Sequence, residues 1–191
     1  MKVNQRLFTL FILFFMISPI LSADDPVWNI RSVPIDQITV VAHRGAGDLA
    51  PENTMEALQL TWGMGGVPEV DIRTSKDGVL VMFHDNNFKR ILPTASEEVK
   101  KKGIEDLTWA EIQKLDIGSF RGKKFAGQKV VSLAEIIQAL KKDKKRKVFI
   151  DVKRVDFAKL AEETKEVHPQ IILATGTYRH LKEWKDVAPK A

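Results

Sequence analysis

The sequence predicts an α/β protein with a parallel sheet, and two patterns support this class. Short apolar runs rich in β-branched residues recur along the chain and alternate with segments whose apolar residues follow a helical spacing. Turn signals such as Lys76-Asp77-Gly78 separate these segments. Parallel strands need long crossover connections, usually helical, so this alternation favours a parallel sheet covered by helices.

The predicted elements follow one another along the chain with short connections in most places. The apolar runs predict five strands, at Ile38–Ala42, Val67–Ile72, Val79–Phe83, Lys147–Val152 and Gln170–Ala174. The helical spacings predict helices over 54–62, Thr108–Ile112, Ser132–Leu140, Phe157–Val167 and His180–Val187. Residues 86–131 form a long excursion between the third and fourth strands.

Helix start signals support several of these assignments. Thr108 followed by Glu111, and Ser132 followed by Glu135, have the spacing of a capping box. Asn53 or Thr54 is a suitable N-cap for the first helix. The boundaries of these helices therefore rest on polar side chains as well as on apolar spacing.

The N-terminus has the pattern of an export signal, which predicts a periplasmic or secreted protein. Lys2 and Arg6 precede the uncharged apolar run Leu7–Ile17, and small residues suited to cleavage follow near Ala23. We therefore expect a signal peptide over 1–23, a lead-in segment over 24–37 and one domain over 38–191. An uncleaved anchor is the alternative, although the apolar run is short of the about 20 residues of a comfortable span.

Composition places few limits on function. The 191 residues are 44% hydrophobic and 29% charged, with a formal net charge of +5 and no Cys. The chain can therefore form no disulfide, and its small positive excess does not indicate a nucleic-acid partner. The basic run 141–147 is interpreted as a solvated helix end, where cations suit the helix dipole. A surface that attracts phosphate or anionic lipid is the open alternative, and it would allow peripheral membrane contact.

Ionisable residues gather where four of the predicted strands end, and this pattern indicates a functional site. Because active sites of parallel α/β folds lie at the carboxyl ends of strands, these groups are expected to meet. In chain order they are His43, Arg44, Glu69, Asp71, His84, Asp85, Asp151 and Lys153.

The residue types point to phosphodiester chemistry with a bound cation. Glu69 and Asp71 are two apart in a strand, so both carboxylates project to one face, where one divalent cation, Ca²⁺ or Mg²⁺, would offset their charge. Two histidines suit general acid and base catalysis near neutral pH. Arg44 can bind two phosphate oxygens, and Lys153 adds a point charge.

The motifs together resemble those of the glycerophosphodiester phosphodiesterase family. Val41-Ala42-His43-Arg44-Gly45 followed by Ala50-Pro51-Glu52-Asn53-Thr54 is similar to the opening signature of that family. Glu69-Val70-Asp71 and His84-Asp85 follow in the same order, and weaker matches continue to about residue 190.

The resemblance implies a TIM barrel that hydrolyses a small-molecule substrate, a glycerophosphodiester, to glycerol 3-phosphate and an alcohol. It implies an acid/base pair, phosphate contacts and metal ligands, with further polar residues around them. The acid/base pair is His43 and His84, and the phosphate contacts are Arg44 and Lys153. The metal ligands are Glu69, Asp71 and Asp151. The further polar residues are Glu52, Asn53 and Asp85. Asp151 stands where the family usually has Glu.

Two alternatives remain open at this point. An eight-stranded barrel typically needs about 250 residues, so the chain is expected to be truncated after about five strands. A truncated barrel could bind a metal or phosphate without turnover, as a binding remnant. A lipid-directed phospholipase or sphingomyelinase D type of enzyme on the same scaffold is the other alternative, and an apolar rim at the site would favour it.

Overall fold

The computed structural model describes residues 33–34 and 37–189. The predicted signal peptide and most of the lead-in segment lie outside the described residues. The chain divides into two compact units, Met1–Ile38 and Thr39–Ala191. In the first unit, Gln37 N donates a hydrogen bond to Pro34 O at 2.9 Å. No helix of the described residues is long and apolar enough to cross a membrane.

The second unit is an α/β structure whose strands and helices largely follow the predicted order. Its strands are β1 Val41–Ala42, β2 Val67–Thr74, β3 Leu80–Met82, β4 Val148–Arg154 and β5 Ile171–Ala174. Its α-helices are α1 Met55–Gly63, α2 Glu97–Lys101, α3 Trp109–Ile112, α4 Leu133–Lys141, α5 Phe157–Thr164 and α6 Tyr178–Val187. Short 3₁₀ turns connect several of them, including His43–Gly45 directly after β1.

The five strands form one sheet in which the path β1-β2-β4-β5 is parallel. The register of β2 with β4 places Asp71 opposite Asp151 and Ile72 opposite Val152. The next pair joins Arg73 to Arg154, so the ladder skips Lys153. Such irregularities redirect side chains locally. This register brings acidic residues from two strands together.

The prediction of a parallel sheet was wrong for the third strand. β3 pairs antiparallel with β2, with Met82 opposite Ile72 and Leu80 opposite Thr74. The link between the two strands is short and turns tightly, with Gly78 at φ 85°. A link of this length can close a hairpin but cannot make a parallel crossover. The Asp-Gly turn signal was therefore a hairpin signal.

The first strand is shorter and more exposed than predicted. Only Val41–Ala42 is paired, and Val40 and Val41 are 63% and 43% exposed. The predicted strand over Ile38–Ala42 was therefore too long, and the burial expected of such an apolar run is not observed. β1 lies at one end of the sheet path, where β2 is its one strand partner among the described residues.

The helix start signals are confirmed, whereas one boundary each of two helices differs from the prediction. Thr108 and Ser132 form capping boxes with Glu111 and Glu135. Thr54, rather than Asn53, caps α1 by accepting a hydrogen bond from the amide of Ala57. Helix α5 ends at Thr164, before the predicted Val167, and α6 begins at Tyr178 instead of His180.

The main hydrophobic core lies between the sheet and the helices. Val70 and Ile72 of β2 are fully buried in it, together with Ile150 of β4. Helices α1, α4, α5 and α6 contribute, among others, Leu58, Leu140, Leu160 and Trp184. Since side chains alternate along a strand, the opposite face of β2 carries Glu69, Asp71 and Arg73. The core therefore holds in place the strand that carries the acidic pair.

The excursion over 86–131 forms its own apolar cluster. Phe83 and Phe88 pack edge to face with ring centroids 5.2 Å apart, and Ile104, Ile112 and Ile117 are buried around them. The Asp116 carboxylate accepts hydrogen bonds from the amides of Gly118, Ser119 and Gly127, and these bonds fix the turn in the last part of the excursion. The long excursion is therefore an ordered layer beside β3.

We expect Leu58→Ala to lower the free energy of unfolding by about 2–5 kcal/mol, because it opens a cavity in the core. The matched control is Leu60→Ala in the same helix, since Leu58 is fully buried whereas Leu60 is 38% exposed. Urea denaturation of both variants measures the difference. Equal losses would contradict the packing of α1 against the sheet.

Candidate functional site

The polar face of β2 carries three buried charged residues of the site. Glu69, Asp71 and Arg73 alternate with apolar residues and are only 7%, 1% and 6% exposed. Burying two carboxylates side by side is costly unless cations or hydrogen-bond donors compensate them. The surroundings of these side chains therefore define what the site can bind.

Strand β4 adds a third carboxylate and a cation. One oxygen each of Glu69, Asp71 and Asp151 lie within 4.8 Å of one another. Lys153 Nζ lies 2.7 Å from Asp151 Oδ2 and 3.1 Å from Asp71 Oδ1. The structure thus brings together the residues that the sequence predicted as metal ligands, with the predicted phosphate-binding lysine between two of them.

The carboxylate cluster fits a hard divalent cation. Asp71 Oδ1 is buried and accepts no hydrogen bond of good geometry from the described residues, even though Lys153 Nζ is close to it. A buried carboxylate oxygen without a hydrogen bond is expensive. Oxygen ligands from several carboxylates are what Ca²⁺ and Mg²⁺ prefer. Glu69, Asp71 and Asp151 can therefore hold such an ion.

The environment of Glu69 favours its protonated form. The pKa of this carboxyl is raised from 4.5 to about 7, mainly by burial and in smaller part by the charges of Asp71 and Asp151. The backbone amide of Arg44, which donates to Glu69 Oε2 at 2.5 Å, and the charge of Lys153 act in the opposite direction. A cation at the cluster would favour the ionised form instead.

The turn after β1 has an unusual backbone that directs Arg44. Its φ and ψ are 53° and 34°, in the left-handed region that non-glycine residues rarely adopt. The next residue must be Gly45, because a Cβ there would lie 2.8 Å from Ala57 Cβ. This turn aims the Arg44 amide at Glu69 and its guanidinium at Glu52, 3.1 Å away.

Asn53 is the second non-glycine residue with a left-handed backbone among those described, with φ 53°. Its Nδ2 donates to Asp71 Oδ2 at 2.8 Å, and its Oδ1 accepts from the Asp71 amide at 3.1 Å. Its own amide donates to the carbonyl of Arg44 at 2.8 Å. Asn53 therefore ties the loop before α1 to both β2 and the Arg44 turn.

His84 follows the hairpin strand β3, which returns it alongside β2. The Phe83 amide donates a hydrogen bond to the carbonyl of Asp71, and His84 is the next residue. The backbone of His84 is therefore close to the Asp71 level of β2. Its Nδ1 lies 2.7 Å from Asp85 Oδ1. Burial alone would raise the pKa of Asp85, but hydrogen bonds and charges from Arg90 and His84 lower it overall. The carboxylate can accept a hydrogen bond from Nδ1–H, and in that tautomer Nε2 is the ring nitrogen left to exchange a proton with a ligand.

Two arginines that the sequence prediction missed organise the site. Arg73 is buried and donates to the carbonyl of His84 and to Asn86 and Glu105. Its i+2 spacing from Asp71 was an available signal, because it shares the polar face of β2. Arg90, which binds both Glu52 and Asp85, lies in the irregular excursion and had no comparable pattern.

The two histidines face separate concavities. One is lined in part by His43, Arg44, Glu52 and Phe120, and the other in part by Arg73, His84, Asp85 and Lys153. Glu52 and Asp85 border them and are joined by the guanidinium of Arg90. All ten predicted site residues therefore lie on β2, on β4 or on the loops that follow β1 and β3.

Comparison with known proteins identifies one matching family model and several relatives named as phosphodiesterases. Residues 43–188 match the model of the glycerophosphoryl diester phosphodiesterase family. A glycerophosphodiester phosphodiesterase of Caldanaerobacter subterraneus is 33% identical over 160 residues, which cover 78% of this chain and 63% of that protein. One of Bacillus subtilis is 30% identical over 148 residues, which cover 70% of this chain and 47% of that protein.

Solved structures agree with these sequence matches. A glycerophosphodiester phosphodiesterase from Agrobacterium tumefaciens aligns with a TM-score of 0.69 and 28% identity, over 80% of this chain and 64% of that one. An Oleispira antarctica phosphodiesterase, solved in complex with the product sn-glycerol-3-phosphate, aligns with a TM-score of 0.69 and 27% identity, over 80% and 63%.

These structures confirm the predicted fold, because the described sheet and helices correspond to part of a TIM barrel. The chain spans less than two thirds of the length of the relatives it matches. The family match nevertheless covers most of the chain, including every predicted site residue. The chain therefore belongs to the glycerophosphoryl diester phosphodiesterase family.

Proposed function

We propose that the chain hydrolyses glycerophosphodiesters to glycerol 3-phosphate and an alcohol. The observation that carries this proposal is a pair of buried polar atoms, Asp71 Oδ1 and Arg44 Nε, that make no hydrogen bond with the described residues. A divalent cation would satisfy the first atom, and a phosphate oxygen would satisfy the second. The product complex of the Oleispira relative supports a phosphate ester as ligand.

We propose Glu69, Asp71 and Asp151 as the ligands of one divalent cation, Ca²⁺ or Mg²⁺. The cation would supply charge stabilisation to the phosphoryl oxygens. Asp151 is one methylene shorter than the usual Glu, yet its carboxylate already lies beside the other two. The length of this side chain is therefore no obstacle to a three-carboxylate site.

Arg44 and Lys153 would bind the phosphate on the two sides of this cluster. The Arg44 guanidinium is held by Glu52 and keeps its buried Nε–H for a ligand. Lys153 Nζ carries a positive charge that its two aspartate neighbours reinforce by raising its pKa against the effect of burial. Both cations favour the charge that develops on the phosphoryl oxygens.

His43 and His84 would move the protons of the reaction. The Asp85 carboxylate orients His84 so that Nε2 can take a proton from a nucleophilic hydroxyl or water. His43, exposed beside Arg44, can give a proton to the leaving alkoxide. The assignment of base and acid to the two residues follows from this difference in their partners.

A lipid with one acyl chain is a second candidate substrate, because an apolar groove adjoins the site. The groove is lined by Ile91, Leu92, Val99, Leu115 and Phe120, among others. Phe120 also lines the concavity of His43 and Arg44. Assaying lysophosphatidylcholine beside glycerophosphocholine separates the two candidates.

We further propose export through the N-terminal signal, which detection of the mature chain outside the cytoplasm would test.

We expect His43→Ala and His84→Ala each to lower kcat for glycerophosphocholine by about 10²–10⁴-fold, as for loss of a general acid or base. Release of glycerol 3-phosphate with cation present, compared with chelator, is the measurement. His168→Ala is the control, because His168 packs against Trp184 in the helical layer. Full activity of both site variants would exclude the proposed roles.

We expect Asp151→Asn to weaken Ca²⁺ or Mg²⁺ binding by at least about tenfold, since one charged ligand is lost. Titration calorimetry with each cation measures this independently of turnover and also decides which ion binds more tightly. Asp186→Asn, on the exposed face of α6, is the matched control. A cation affinity unchanged in Asp151→Asn would remove this residue from the ligand set.

We expect the stability of the protein in chelator to fall as pH rises from about 4.5 towards 7. The raised pKa of Glu69, about 7 in the folded chain, means that the folded state holds a proton that the unfolded state releases. Urea denaturation across this range measures the slope. Glu69→Gln should reduce the slope, because Gln does not titrate. An identical slope in this variant would contradict the assigned pKa.

A further inference from the structure

Arg90 makes the densest set of charged contacts in the described site. Its Nη1 and Nη2 donate to Glu52 Oε2 and Oε1 at 2.6 and 2.7 Å. Its Nε and Nη2 donate to Asp85 Oδ2 and Oδ1 at 2.8 and 3.0 Å. Only the planar fork of an arginine can bind two carboxylates in this way, since a lysine ammonium has no such geometry.

Each of these carboxylates contacts a proposed functional group on its other side. Glu52 accepts from Arg44 Nη1 at 3.1 and 3.2 Å. Asp85 lies 2.7 Å from His84 Nδ1. A continuous chain of charged contacts therefore runs from Arg44 through Glu52, Arg90 and Asp85 to His84.

We propose that Arg90 is a positioning residue that holds Arg44 and His84 in their working geometry through Glu52 and Asp85. This inference rests on the proposed function. The network joins the loop after β1 to the loop after β3, which carry the two residues that it positions. Arg90 itself lies in the excursion between β3 and β4, so the excursion has a role in the site.

The charges of the network are consistent with this role. Burial raises the pKa of Glu52, but hydrogen bonds and charges from Arg90 and Arg44 outweigh burial and lower it overall. Both carboxylates therefore remain ionised near neutral pH and keep accepting from their partners. Arg90 stays charged, because its two carboxylate partners raise its pKa further.

A direct phosphate contact by Arg90 is the main competing role, because its side chain is 43% exposed and its Cζ lies 5.9 Å from the Phe120 ring centroid. Its hydrogen bonds argue against this role. Four contacts to the two carboxylates leave one N–H of the five in a guanidinium. A phosphate-binding arginine would present two N–H groups to the anion.

A double-mutant cycle on binding of sn-glycerol 3-phosphate distinguishes the two roles. With cation present, we expect Arg90→Gln and Glu52→Gln each to weaken binding by about 10–100-fold, as displaced positioning groups do. The double variant should be no weaker than the worse single variant, because both act through Arg44. Arg146→Gln, whose arginine stacks over Trp62 outside the site, should leave binding unchanged. Multiplied losses in the double variant would overturn the proposal in favour of direct contact.

Comparing the effects on kcat and KM tests the part of the network that runs from Arg90 through Asp85 to His84. We expect Arg90→Gln to lower kcat as well as raise KM, because it releases both His84 and Arg44. Glu52→Gln should mainly raise KM, because it removes the carboxylate that holds Arg44 but leaves the contacts of Arg90 with Asp85 in place. A variant Arg90→Gln with unchanged kcat would overturn the arm through Asp85.

A measurement without ligand keeps the proposal separate from the proposed function. The Nε–H of Arg44 is buried, so its NMR signal reports whether the side chain is held. We expect a rigid heteronuclear NOE in the wild-type chain, reduced in Arg90→Gln and Glu52→Gln but not in Arg146→Gln. Failure to bind or hydrolyse substrate with this pattern intact would count against the function alone. A rigid Arg44 in folded Arg90→Gln would overturn the positioning role.

Discussion

The pairing of Asp71 with Asp151 across β2 and β4 is the constraint on which the site depends. It places the half-buried carboxylate of Asp151 beside the buried carboxylate of Asp71, which is unfavourable unless positive or hydrogen-donating groups surround them. Lys153 supplies a charge, and Asn53 binds one oxygen of Asp71. Glu69 meets the same constraint by a raised pKa. The remaining unsatisfied oxygen of Asp71 is the position where a cation would complete the compensation.

The backbone around this cluster is strained where it serves the site. Arg44 and Asn53 both adopt left-handed conformations, at a cost of roughly 1–2 kcal/mol for Arg44 and less for Asn53, because Asn tolerates this region better than most residues. In return, the Arg44 amide reaches Glu69, and Asn53 binds Asp71. Strain of this kind persists only where surrounding contacts determine it, and it concentrates at functional sites. Both strained residues lie in the segment with the family's opening motif.

The short link between β2 and β3 makes a hairpin, and the hairpin decides where His84 lies. A parallel third strand would have carried this residue in the opposite direction along β2. The antiparallel strand instead returns the chain to the level of Asp71, and the excursion that follows supplies Arg90. The site is thus built from two sheet strands and from two loops that charged contacts connect. The apolar cluster of the excursion keeps the second loop in place.

Periodicity and capping chemistry in the sequence determined the element order, the start of helices such as that at Ser132, and the shared face of Glu69 and Asp71, because these depend on neighbours within a few residues. The tertiary structure alone decided the strand register that sets Asp71 beside Asp151. It also decided the direction of β3 and the bridge through Arg90. Register and bridging contacts join residues far apart in the chain, and their geometry depends on how all the elements pack, which no local pattern encodes.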